Sequence, residues 1–140
     1  MNDRYTLSTD KARLDVTRIH ELLTGQAYWA RDRSPETVRQ SIEHSLCFGA
    51  YEGSELVGFA RVVTDYAVIA WLLDVLVVEA HRGQGLGKAL VQAALGHPDL
   101  QNVRRWMLGT HDAHGLYRQY GFGELATPGL FMERINAGPR

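Results

Sequence analysis

Three glycines at alternate positions, Gly83, Gly85 and Gly87, follow a nearly unbroken apolar run and open a stretch of helical periodicity. No other juncture restricts the chain as much. The run over residues 68–78 carries one charge, Asp74, and a strand so uniformly apolar is expected to be covered on both faces. Leu86, Leu90 and Ala93 then recur at about helical spacing. A strand, a tight turn and a helix return the chain to a parallel neighbour, and residues 103–109 are the candidate. The same turn directs backbone N–H groups at the helix N-terminus toward one point, which is how proteins hold an anion without a large net charge. Arg82 and Lys88 flank that point.

The remaining pattern is mixed. Residues 4–8 alternate as a first strand, and Asp15 caps a helix with Val16, Ile19, Leu22 and Leu23 on one face, closed by Gly25. Ser34-Pro35-Glu36 starts a second helix. Residues 47–51 and 55–63 flank a Gly53-bearing turn as a hairpin, and 68–78 forms the third of three adjacent antiparallel strands. A helix over 113–120 and two closing strands, 122–125 and 130–133, complete the reading. The fold class is α/β: a mixed, mostly antiparallel sheet flanked by helices, with one parallel pair formed around the glycine-loop helix.

Composition narrows the function classes. A length of 140 residues with 45% hydrophobic and 22% charged residues is expected to make one domain spanning residues 1–140. Fifteen Lys+Arg against sixteen Asp+Glu leave a formal net charge of −1, without the basic excess expected of a nucleic-acid binder. Any anion must therefore be held locally. No apolar run approaches the roughly 20 residues of a spanning helix, so no membrane role is expected, and the charged N-terminus shows no apolar leader core. The single cysteine, Cys47, excludes an intrachain disulfide and a thiolate zinc cluster. A cytoplasmic setting fits. His111 and His114 lie three apart without matching acidic or cysteine partners, so no metal is expected.

Two common phosphate motifs fail at the glycine loop. A dinucleotide fingerprint would require glycine where Lys88 or Leu90 stands, and a P-loop would require glycine in place of Arg82 and a hydroxyl in place of Ala89. What remains is R-x-x-G-x-G, with Arg82, Gly85 and Gly87. A second motif, Leu116-Tyr117-Arg118-Gln119-Tyr120-Gly121-Phe122, reads L-Y-x-x-x-G-F. In these two motifs and in the order of its elements, the chain resembles the GNAT superfamily of acetyl-CoA-dependent N-acetyltransferases.

The resemblance implies a site. Backbone amides of Arg82, Gly83, Gln84, Gly85, Leu86, Gly87 and Lys88 would hold the CoA pyrophosphate, while Leu76, Val77 and Val78 would pair with the pantetheine arm. One strand N–H would polarise the thioester carbonyl. Tyr117 would set its hydroxyl near the CoA sulfur as hydrogen-bond donor or acid. Asp74 is either a base or orienter for the attacking amine or a carboxylate bound to an arginine or backbone partner within the sheet. Glu79, His81 and His111 are further candidates for that proton. Thr110 replaces an asparagine frequent in the family, and Ala113 keeps its usual small residue. Tyr28, Trp29 and Arg31, with Arg33 nearby, would shape the acceptor pocket, or Trp29 instead anchors this loop to the core.

The implied reaction uses acetyl-CoA as cosubstrate, with direct attack by a primary amine of a small molecule, peptide or protein in a ternary complex. No enzyme nucleophile is required. Homodimers are common in such a family. A non-catalytic acyl-CoA-binding or sensing module and a nucleotide-binding loop are the competing readings.

Overall fold

Capping side chains set where the first two helices begin. In the computed structural model, which describes residues 3–136, Asp15 accepts the Arg18 N–H at 3.0 Å and starts α1 (Val16–Gln26). Ser34 accepts the Thr37 N–H at 3.1 Å and, with Pro35 in the first turn, starts α2 (Pro35–Glu43). Ile19, Leu22 and Leu23 of α1 and Val38 and Ile42 of α2 are the buried stripes.

Among the described residues the sheet has five strands in sequence order: β1 (Thr6–Ser8), β2 (Leu46–Glu52), β3 (Glu55–Thr64), β4 (Ile69–Val77) and β5 (Arg105–Leu108). All neighbours are antiparallel except β4 and β5, which run parallel across the helix α3 (Leu86–Leu95). The expected mixed sheet is present. Its faces carry separate cores. Leu86, Leu90, Val91 and Ala94 of α3 pack on Phe48, Ala50, Val62, Ala70 and Leu72, while α1 and α2 cover Cys47, Tyr51, Leu56, Phe59 and Leu76. Leu90 is wholly buried, so its truncation to alanine costs about 2–5 kcal/mol.

Two irregularities in β4 shape the site. Between the pairs Phe59–Leu76 and Arg61–Leu73 the ladder advances two residues in β3 but three in β4, which makes a bulge in β4. Asp74 sits in it with φ of 53°, a left-handed conformation that costs a non-glycine residue about 1–3 kcal/mol. Strict alternation would send Asp74 under α3 beside Ala70 and Leu72. The bulge instead turns it to the α1–α2 face. The second irregularity is that β5 pairs with β4 only from Ile69 to Leu72, whereas β4 continues to Val77. Beyond Leu72 the two strands part, and a cleft opens.

The closing strands expected over 122–125 and 130–133 do not form. The chain passes β5, with Phe131 under the Arg105 guanidinium at 4.9 Å, but makes a 3-10 turn at Pro128–Leu130 rather than a ladder. Gly123 interrupts the first run, and Pro128 and Gly129 turn the chain just before the second. Leu130 and Met132 stay exposed. The last helix, α4, is also shorter than expected, His114–Arg118. No helix among the described residues is long and apolar enough to cross a membrane.

Candidate active site

The cleft between β4 and β5 continues as a groove of about 630 Å³ over the glycine loop, lined by Val75, Leu76, Val77 and the loop residues Arg82, Gly83, Gly85, Leu86, Gly87 and Lys88. Gly83 and Gly85 have φ of 78° and 83°, a conformation glycine adopts without a Cβ penalty. A Cβ on Gly83, Gly85 or Gly87 would meet nothing within 4 Å. The space above the loop is open to a ligand that approaches the backbone itself. That fits the phosphates of a CoA molecule, and the α3 dipole adds favourable potential.

The individual residues divide more finely than the motif. Val78 donates its N–H to the Val57 carbonyl at 2.9 Å, so that donor is used within the sheet. Strand alternation directs the Val77 N–H to the opposite edge, the one β5 leaves unpaired. Val75 lines both this groove and the adjoining cavity; the motif alone did not single it out. Gln84 does not line the groove, and Leu86 is a core side chain. Arg82 donates to the Val77 carbonyl at 3.2 Å and to Gln26 Oε1 at 3.3 Å. It thereby ties the end of β4 to the end of α1. Gln26 and Ala27 join the lining, a contribution from α1 for which the sequence carries no local signal.

The adjoining cavity, about 380 Å³, is lined by Trp29, Val75, Thr110, His111, Asp112 and Tyr117, among others. Tyr117 lies on α4 with its ring edge-on to Phe122 at 6.0 Å. Burial pushes its phenol above the usual tyrosine value. Its hydroxyl therefore carries a proton at neutral pH. Thr110 Oγ1 accepts the Ala113 N–H at 3.2 Å, so this hydroxyl organises the entry to α4.

Asp74 is brought to neither cavity. Its side chain is 1% exposed, and Oδ2 receives Arg33 at 2.7 Å and Arg61 at 2.9 Å. Oδ1 accepts Trp29 Nε1–H at 3.0 Å. Burial alone would raise the carboxyl, but Arg33, Arg61 and Trp29 together outweigh it and hold the pKa below the usual aspartate value. Arg61 also donates to Ser45 Oγ at 3.1 Å. The two arginines are the partners that sequence spacing could not assign.

Other candidates separate as clearly. Trp29 sits on a 3-10 turn, Tyr28–Ala30, and lines both cavities; Arg31 is exposed and lines neither. The side chain of Tyr28 lies outside the described residues. His81 is buried with Nδ1 2.9 Å from the Tyr5 hydroxyl, and Glu79 is exposed on a 3-10 turn. Among the described residues no group of three His, Cys, Asp or Glu side chains could hold a metal.

The sequence matches the model of the acetyltransferase (GNAT) family over residues 16–122. The chain belongs to the GNAT family. As a GNAT enzyme it is an acyltransferase, and acetyl-CoA-dependent acetyl transfer is its general chemistry. Its sheet, with one parallel pair beside the cofactor helix, is the GNAT fold. A crystal structure of a Xanthomonas campestris pv. campestris protein, xcc2953, assigned to the same family, is 47% identical; the match covers 94% of this chain and 93% of that one, with a TM-score of 0.91. FG08082 of Gibberella zeae, named as an acetyltransferase, is 32% identical over 136 residues, covering 81% of this chain and 75% of that protein. A ycf52-like N-acetyltransferase of Prochlorococcus marinus is 32% identical over 113 residues, covering 76% of this chain and 62% of that protein.

Proposed function

We propose that this GNAT enzyme transfers acetyl from acetyl-CoA to a primary amine by direct attack, with both substrates bound together. The observation that carries the reading is the junction at Val75. There the groove that fits CoA meets the cavity lined by Tyr117 and Trp29. Acetyl-CoA, when bound, supplies an activated thioester; the chain's residues bind and orient it. The loop amides and Lys88 hold phosphate, and the unpaired Val77 N–H offers a donor along the pantetheine path.

Tyr117 acts mainly by hydrogen-bond donation. A phenol near pKa ~10 is already a weaker acid than a thiol near ~8.5, and burial pushes Tyr117 higher still. Complete proton transfer to a departing thiolate is uphill. Donation to the growing charge on sulfur is not. The amine's own proton leaves toward the His111–Asp112 edge of the cavity, the part of its lining that carries titratable groups besides Tyr117. Cys47 is unsuited to carry an acyl group: it is 1% exposed, and burial pushes its thiol up to about 11. This supports transfer without a covalent enzyme intermediate.

The test is an acceptor panel of small amines, peptides and protein amines, read by release of free CoA thiol. Release that depends on the amine is expected. Tight CoA binding without release by any acceptor would replace the reading with an acyl-CoA-sensing module.

A further inference from the structure

Trp29 occupies a three-residue turn whose N-cap position makes no side-chain hydrogen bond, yet its indole forms part of both cavities. A half-exposed aromatic wall on so short a turn needs an anchor in the rigid sheet. Asp74 supplies one. Its carboxylate lies in the bulge of β4 and joins three segments: Arg61 of β3, Trp29 of the turn and Arg33 just before α2. Arg33 and Trp29 belong to the same connection, so the two carboxylate oxygens grip that connection at two points four residues apart. Arg61 is in turn fixed by Ser45 before β2.

The same geometry argues against proton transfer by Asp74. The groups facing it are Arg61 from β3, Arg33 and Trp29 from the α1–α2 connection, and, close enough for its charge to act on the thiol, Cys47 from β2. Its oxygens are committed to donors, its side chain is closed to solvent, and it lines neither cavity. Accepting a proton would remove the one negative charge between two guanidiniums. The left-handed backbone at Asp74 has a purpose in these terms, because it points the carboxylate away from the α3 core and into the network.

We propose that Asp74 is a positioning residue, which pins Trp29 as the wall of the acceptor cavity through its bond to the indole N–H and its ion pairs with Arg33 and Arg61. This inference rests on the amine-acetyltransferase reading. It makes Trp29 a determinant of acceptor recognition.

Two variants of the full chain test it, Asp74→Asn and Trp29→Phe, each assayed for acceptor KM, kcat, the pH profile and CoA affinity, together with the Trp29 indole N–H signal by NMR. Asp74→Asn removes both ion pairs and the charge that strengthens the indole bond, and Trp29→Phe removes that bond outright; an acceptor KM raised by about tenfold or more is expected in both variants. The position of the pH limb is expected to stay that of wild type in both variants and CoA affinity to change less than the acceptor KM, while in Asp74→Asn kcat stays close to wild type and the Trp29 signal shifts. Disappearance of the pH limb in Asp74→Asn with KM unchanged would establish it as the base and overturn the proposal. So would an unchanged indole signal in that variant, or an unchanged KM in Trp29→Phe. Should Asp74→Asn fail to fold, Trp29→Phe keeps the ion pairs and still decides. If wild type acetylates no amine, the parent reading fails, while the indole signal still reports whether Asp74 holds Trp29.

Discussion

The two walls of the cleft are built from different materials. On the cofactor side, the groove is shaped by main chain: two glycines with positive φ, the first turn of α3 and the free edge of β4 beyond Leu72. On the side proposed for the acceptor, the wall is a side chain held by other side chains, Trp29 on Asp74 with Arg33 and Arg61. A backbone wall tolerates change in side-chain chemistry but not in conformation. A side-chain wall responds to charge and to pH. The first suits a cofactor of fixed shape, and the second gives each enzyme room to define its own acceptor.

Tyr117→Phe probes the point where the walls meet and should have the largest effect. A fall in kcat of about 10- to 10²-fold is expected from loss of a hydrogen bond to the charge growing on the leaving sulfur, with CoA affinity retained in equilibrium binding. Weakened CoA binding with kcat intact would move Tyr117 to the cofactor wall. Next comes Gly85→Val, which forces a β-branched residue into a left-handed conformation costing about 1–2 kcal/mol. CoA affinity should drop about tenfold while acceptor preference among competing amines stays as it was.

Acid pH sharpens the contrast further. Because the Asp74 carboxyl is held below its usual value, its contribution to stability is present above the unfolded pKa of ~3.9 and is lost as pH falls through the lower folded value. Urea midpoints measured from pH 6 down to pH 3 should therefore fall more steeply below about pH 4 for wild type than for Asp74→Asn. Parallel curves would mean that the ion pairs add nothing to the fold. The smallest effect is expected of Gln84→Ala, which alters a side chain outside the groove; CoA affinity should change by less than about twofold. A larger loss would show that the Gln84 side chain belongs to the cofactor wall.

This contrast also explains what could be read from sequence. Gly83, Gly85 and Gly87 sit beside one another in the chain, and their conformational demand is local, so the cradle and the fold class were legible. Asp15 and Ser34 announced their helices for the same reason. The partners of Asp74 lie 13, 41 and 45 positions away along the chain, and no periodicity links them. Alternation along β4 even points the wrong way, because the bulge adds a residue that apolar patterning does not mark. Within 76–78 the Val78 N–H is bonded to Val57; a motif marks a segment, whereas pairing decides which amide is free. The closing strands failed on another count. Residues 122–125 and 130–133 have strand-like composition, but whether they pair depends on what β5 offers and on how much apolar surface the pairing would cover.

The start of α3 has a thermodynamic consequence of its own. Its N-cap is Gly85, which provides no side-chain acceptor for the first-turn amides, so those donors depend on solvent. A ligand phosphate that accepts from them completes the helix as well as occupying a site. Ligand binding and folding are then linked: at a concentration of about 100 times its Kd, CoA should stabilise the native chain by about 2.7 kcal/mol. The melting temperature becomes a titratable measure of occupancy that needs no acceptor.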